Sequence, residues 1–331
     1  MTNTAGLAKA ELHLHIEGTL EPEMVFAFAT RNGVDLPFAS IEDLRSRYSF
    51  TSLVPFLDLY YACMAVLRTE EDFAELAAAY LERAWKQGVR HAELFFDPQA
   101  HTSRGVPIDS VIDGLLRALA DANRAHGMTG GLILCFLRDQ SVDDALATLE
   151  SVASRSSDLL GVGLDSAEVG YPPALFAGVF QRAKELGLHR VAHAGEEGPP
   201  DYVWDALDVL EVERIDHGVR SLEDPELVAR LRADRVPLTV CPLSNVRLGG
   251  VASIGAHPLA RMLEAGLVVT INSDDPAYFG GYIADNYDAA ADALGLSTDD
   301  LRRIAAFSVE AAFLPEQRMR VLLAEIAAWE G

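Results

Sequence analysis

The chain has 331 residues, half of them hydrophobic, and a formal charge of −23, enough apolar material for one large core or two ordinary ones without covalent staples. So acidic a chain repels phosphate backbones and anionic membranes, so neither nucleic acid nor a membrane is expected as a partner, whereas a neutral or cationic small molecule is compatible with it. No run reaches the roughly 18 apolar residues of a membrane span, the first residues lack a signal-peptide pattern, and the scattered Cys63, Cys135 and Cys241 suit neither a disulfide framework nor a cysteine zinc cluster, which points to a cytoplasmic protein.

The first predicted element is the strand "AELHLHIEG" (10–18). Side chains at i and i+2 of a strand share a face, so His13 and His15 project together while Leu12, Leu14 and Ile16 face the other way. Two imidazoles on one face make half a metal site. Residues 20–88 are too many for one crossover helix, and their periodic runs near 22–32, 53–67 and 70–87 predict several helices, an insertion after strand one expected to act as a lid. From residue 89 onward short aliphatic runs alternate with amphipathic stretches. Strands are read at 89–98, 131–139, 161–168, 189–197, 214–220, 236–245 and 267–276. Helices fill the gaps, for example 109–127, with an aspartate start and a glycine stop, and 172–187, opening on proline and closing on glycine. Residues 285–331 read as further helices. Eight parallel strands, each followed by a helix, predict an α/β fold, a (β/α)₈ TIM barrel in a single domain over residues 1–331.

The polar residues fall at strand carboxyl ends: His13 and His15 at strand one, His193 and Glu196 at strand five, His217 at strand six, Asp274 and Asp275 at strand eight. In such a barrel those ends converge on one pocket. Three histidines and a carboxylate suit a borderline divalent ion that keeps a position for water: Zn²⁺ foremost, with Fe²⁺ and Mn²⁺ also compatible. His91, His101, His126, His189 and His257 lie at strand starts, helix ends or loops and are assigned ordinary surface or capping roles.

"HLHIEG", "HAGE" (193–196), "DHG" (216–218) and "SDDP" (273–276), in this order, resemble the adenosine/adenine deaminase family of the metal-dependent amidohydrolases, most of all its adenine deaminase branch. The likeness spans almost the whole chain. It implies that His13, His15, His193 and Asp274 hold the metal, that Glu196 protonates purine N1, that His217 assists the water, and that Asp275 contacts N7. Two-metal amidohydrolase sites often use a carboxylated lysine at the end of strand four. Lysine occurs here only at Lys9, Lys86 and Lys184, none of which ends a strand, so one ion per chain is expected.

Two departures bear on which purine is used. Where adenosine deaminases resemble H-x-H-x-D-G, with an aspartate for the ribose, this chain has Glu17, a longer acid expected to intrude into the sugar space. Where they carry a glycine after strand four, "LDSAEVG" places Glu168, expected to fill the sugar volume and to hydrogen-bond N3 or the N9–H of a free base, with Ser166 supporting the same edge. A site built for that bond rejects a nucleoside strongly. The function expected is therefore hydrolytic deamination of adenine to hypoxanthine and ammonia in purine salvage. Adenosine or an N6-substituted adenine as substrate, and an inactive zinc-binding protein on a deaminase fold, stay open as alternatives, and the oligomeric state is undetermined.

Overall fold

The computed structural model describes residues 2–331. Its centre is one sheet of parallel strands in sequence order: β1 (Lys9–His15), β2 (Val89–Phe96), β3 (Thr129–Leu137), β4 (Gly161–Asp165), β5 (His189–Ala194), β6 (Arg214–His217), β7 (Pro237–Val240) and β8 (Val268–Ile271). The ring closes just beyond β8. His15 N donates to Asp274 O and Asp274 N donates to His13 O, both at 3.1 Å, in a parallel bridge of Leu14 with Asp274. This is the expected (β/α)₈ barrel. Both faces of each strand are covered, by the barrel interior and by helices, so β1 is buried throughout although Glu11, His13 and His15 alternate with Leu12 and Leu14 along it.

β1 and β6 end on their expected histidines, His15 and His217, but two other strands end before polar residues expected to terminate them. β5 stops at Ala194, ahead of Glu196, and β8 at Ile271, ahead of Asp274. The chain is already turning there: Ser166 (φ 70°), His217 (φ 62°) and Asp274 (φ 63°) adopt the left-handed conformation that side chains other than glycine rarely take. Three such residues at the carboxyl ends of β4, β6 and β8 place stored backbone strain at one mouth of the barrel.

The insertion contains α1 (Pro22–Asn32), α2 (Ile41–Ser46), α3 (Leu53–Met64) and α4 (Glu70–Lys86). α1, α3 and α4 match the predicted runs. α2 was not predicted, although the Ser40 hydroxyl accepts a hydrogen bond from Asp43 N at 3.2 Å, the N-cap arrangement that "SIED" encodes. α4 begins with a reciprocal capping box between Thr69 and Asp72. The predicted helix at 109–127 is Ile108–His126, whereas 172–187 opens as a 3₁₀ turn, Pro173–Phe176, before the helix Ala177–Glu185. Three C-terminal helices, Ile283–Leu294, Thr298–Glu310 and Glu316–Ala327, follow β8. Among the described residues no helix is long and apolar enough to cross a membrane.

Deep in the barrel the fully buried Arg214 of β6 donates to Glu93 of β2 (2.7 Å), to Leu12 O of β1 (3.2 Å) and to Ala311 O (3.3 Å). Glu93 also accepts from Phe313 N at 2.6 Å. One ion pair thus ties three strands to the C-terminal segment, and each partner satisfies the other's buried charge.

Candidate active site

At the mouth formed by the strand carboxyl ends, imidazoles and carboxylates from distant parts of the chain meet. His15 Nε2 lies 3.2 Å from His193 Nε2, and Asp274 Oδ1 lies 3.5 Å from His13 Nε2 and 3.6 Å from His15 Nε2. Four donors in a tetrahedron around Zn²⁺ are separated by about 3.3 Å, so these spacings suit a common ion. The protonation states suit it as well. His13 Nδ1 lies 3.2 Å from the carbonyl oxygen of Thr239, which can only accept, so Nδ1 carries the proton and the lone pair is on Nε2. That Nε2 is buried and has no hydrogen-bond partner among the described residues. Burial holds His193 well below the ordinary imidazole range and lowers His15 to about 4, keeping both neutral. Burial opposes ionisation of Asp274, yet the surrounding imidazoles of His13, His217 and His15 hold its carboxyl well below the usual range. His13 moves the other way: burial opposes its protonation, but the carboxylates of Asp274 and Asp216 raise it, so the set pairs two neutral imidazoles with a third imidazole drawn to an ionised carboxylate, a charge that a divalent cation would replace.

Second contacts orient this set. Asp165 Oδ2 faces His15 Nδ1 at 3.5 Å, and Asp216, which accepts from Thr239 Oγ1 at 2.8 Å, faces His193 Nδ1 at 3.7 Å. His217 Nε2 lies 3.6 Å from both Asp274 Oδ2 and Glu196 Oε1. Its other nitrogen meets Asn245 Nδ2 at 3.3 Å, and Asn245 Oδ1 in turn meets His257 Nε2 at 3.0 Å. Burial, with the charges of Asp274, Glu168 and Glu197, raises Glu196 well above the carboxylate range, and burial next to Asp274 does the same to Asp275. The structure therefore offers two neutral carboxylic acids, able to donate, beside one ionised carboxylate.

These groups line a cavity together with Ser166, Asp97, Asp165 and an aromatic wall from α3, Phe56, Tyr60 and Tyr61. Tyr61 Oη and Ser166 Oγ are 3.2 Å apart. Asp97 Oδ1, Asp165 Oδ1, Asp275 Oδ1 and Tyr60 Oη are buried without hydrogen-bond partners among the described residues. Such a lining, apolar above and polar at its edges, suits a flat heteroaromatic molecule rich in donors and acceptors.

Of the residues singled out from sequence, His13, His15, His193, Glu196, His217, Asp274 and Asp275 come together here, and Ser166 reaches the same cavity. Glu17, expected to intrude into the sugar space, and Glu168, expected to fill the sugar volume and meet N3 or N9–H, do not line the cavity. The Glu17 carboxylate accepts from His101 Nε2 at 2.7 Å and Asp97 N at 3.2 Å: the turn Glu17–Thr19 buries it against the segment that follows β2. Gly18 lies directly against Asp275, where a side chain would collide. The Glu168 carboxylate is taken up by backbone N–H groups of residues 195–198. His101 and His257, set aside as surface or capping residues, are both buried and support Glu17 and Asn245. Asp97 and Asp165 were passed over although they end β2 and β4, the very signal that picked out the histidines.

The sequence matches the adenosine deaminase family over residues 8–329. The chain belongs to this family. It is 60% identical to an adenine deaminase of Streptomyces coelicolor over 98% of this chain and 96% of that protein, and 55% identical to one of Caulobacter vibrioides over 98% and 94%. The crystal structure of adenine deaminase from Arthrobacter aurescens, 54% identical, superposes with a TM-score of 0.96 over 98% of this chain and 99% of that one. An amidohydrolase from Burkhoderia ambifaria, crystallised with bound zinc, is 28% identical and superposes with a TM-score of 0.90 over 98% and 90%. Members of the family that are this similar make the chain a metal-dependent aminohydrolase.

Proposed function

We propose that the protein converts adenine and water to hypoxanthine and ammonia, with one divalent ion, Zn²⁺ foremost, held by His13, His15, His193 and Asp274. The observation that carries this reading is the convergence of those donors beside Glu196 and Asp275, two acids kept neutral by burial. When bound, the ion acidifies water toward a pKa of about 7 and so makes a nucleophile available at neutral pH. His217 and Asp274, 3.6 Å apart, would accept a proton from water so activated. Glu196, neutral and therefore a donor, protonates N1 as negative charge builds on the ring. Purine N7 is an acceptor, so its partner must donate, which a neutral Asp275 does. Of the two water protons, one ends on N1 and the other on the exocyclic nitrogen. The C6–N bond then breaks and ammonia leaves, while the oxygen stays on C6.

A free base rather than a nucleoside is favoured by the close match to adenine deaminases over nearly full length and agrees with the apolar cover that Leu53, Phe56, Leu57, Tyr60 and Tyr61 of α3 give the cavity. We read the insertion as a lid that shuts water out during reaction, and the role as purine salvage. The test is turnover of adenine, adenosine and N6-alkyl adenines by protein of measured metal content. Adenine should react by far the fastest, with one mole of ammonia released per mole consumed. Faster turnover of adenosine, or of an N6-alkyl adenine, would transfer the assignment to that substrate, and no ammonia from any of them with metal bound would leave a silent metal-binding protein.

A further inference from the structure

Glu168 stands after β4 at the start of the turn Glu168–Tyr171 and is 1% exposed. It accepts hydrogen bonds from four consecutive backbone N–H groups after β5: Gly195 (2.7 Å), Glu196 (3.1 Å), Glu197 (2.7 Å) and Gly198 (2.7 Å). Successive N–H groups that converge in this way form a concave anion site, here filled by the protein's own side chain. The fit is tight, since a Cβ on Gly198 would lie 2.5 Å from Glu168 Oε1. Arg138 closes the bracket from below, donating to His193 O at 2.7 Å and to Tyr171 O at 2.9 Å, while Tyr171 N donates to Glu168 O at 3.2 Å. The loop so held carries Glu196, whose side chain, among the described residues, has no anchoring hydrogen bond of its own to a neighbouring side chain beyond the 3.6 Å approach to His217. We propose that Glu168 is a positioning residue: its carboxylate folds the 195–198 loop around itself and thereby aims Glu196 into the cavity, without touching the substrate.

This inference rests on the reading of Glu196 as proton donor. The experiment uses full-length, metal-loaded wild type, Glu168→Gln, Glu168→Gly and Gly198→Ala, and measures kcat and KM for adenine, turnover of adenosine, metal content, and amide hydrogen exchange of the 195–198 segment. Metal content should stay at the wild-type level. A misplaced reacting group costs on the order of 100-fold in rate, so kcat for adenine should fall about that much in each variant with KM changed only a few-fold, exchange at 195–198 should quicken at least tenfold, and Glu168→Gly should gain no adenosine turnover. Unchanged exchange with kcat within threefold of wild type in Glu168→Gln and Gly198→Ala would overturn the proposal, as would adenosine turnover gained by Glu168→Gly, which would mark Glu168 as a wall of the sugar space. Should Glu168→Gly fail to fold, Gly198→Ala disturbs the same bracket from the loop side. If wild type leaves adenine untouched, the functional reading fails on its own, and the exchange measurement still decides whether Glu168 anchors the loop.

Discussion

At the scale of single residues, the site divides into side chains that face the cavity and side chains that hold them. Glu196 belongs to the first group. Its replacement in Glu196→Gln keeps the shape and removes the acid, and general acid catalysis typically contributes 10²- to 10⁴-fold. We expect kcat for adenine to fall by about that factor with metal content unchanged, checked by steady-state kinetics beside metal analysis; loss of the metal would mean that Glu196 belongs to the ion's surroundings instead. Asn245 belongs to the second group. It stands between His217 and His257, and outer contacts of this kind are worth about 10- to 100-fold. Asn245→Ala should therefore lower kcat/KM for adenine by that order while the variant melts within a few degrees of wild type. Apart from Asp97 and Asp165, the facing imidazoles and acids are legible in the sequence, because such groups beside apolar strand ends have few other reasons to be there. The holding residues were not. Nothing in the order of residues distinguishes Glu168, with four N–H partners, from a solvated loop acid, because its partners lie 27 to 30 positions away.

At the scale of elements, strand periodicity and capping chemistry located most of the secondary structure. β1 is legible from its alternation and α4 from its helical periodicity. α2 was missed because six residues carry too little periodicity to register, and the 3₁₀ opening of the Ala177–Glu185 helix was missed because two prolines signal a start without choosing between helix types. What strands share across the barrel was not readable. The pair of Glu93 on β2 with Arg214 on β6 is the clearest case. Burial opposes ionisation of Glu93, but the Arg214 guanidinium and His91 lower its carboxyl to about 2, from 4.5 unfolded. A carboxyl with a depressed folded-state value stabilises the fold above the unfolded value, and that stabilisation is lost as pH falls through the folded one. The pair should therefore support the barrel fully above pH 4.5 and lose its contribution progressively down to about pH 2. Glu93→Gln removes the close partner of buried Arg214 and leaves it, among the described residues, only Asp216 at 3.9 Å; breaking a buried pair costs about 3–5 kcal/mol. Denaturant titrations of wild type and variant at pH 7 and at pH 3 should show that gap at neutral pH and a narrower one in acid. An equal gap at both would mean that the charge of Glu93 is not what stabilises.

At the scale of the whole molecule, the donors proposed for the metal come from β1, β5 and the turn after β8, and Asp274 also closes the barrel against β1. An ion bound there joins strands more than 250 positions apart. Binding to the folded state alone raises stability by mass action, by about 4 kcal/mol at a thousandfold excess over Kd. Treatment with a chelator should abolish adenine turnover and lower the melting temperature by several degrees, and restoring Zn²⁺ should recover both in calorimetry and assay. A melting temperature indifferent to the chelator, in protein shown to have lost its metal, would place the ion outside the strand junction.

The sequence by itself determined that this is an eight-fold βα chain, that the acids and imidazoles sit at strand carboxyl ends, and which family carries such motifs, since each follows from local periodicity and residue chemistry along the chain. Only the tertiary structure decided which of those acids reach the cavity. Glu17 and Glu168 are drawn away from it by backbone and side-chain donors on other elements, whereas Asp97 and Asp165 are delivered into it. A carboxylate goes where its buried charge is best matched, and the partners that match it are neighbours in space rather than in order.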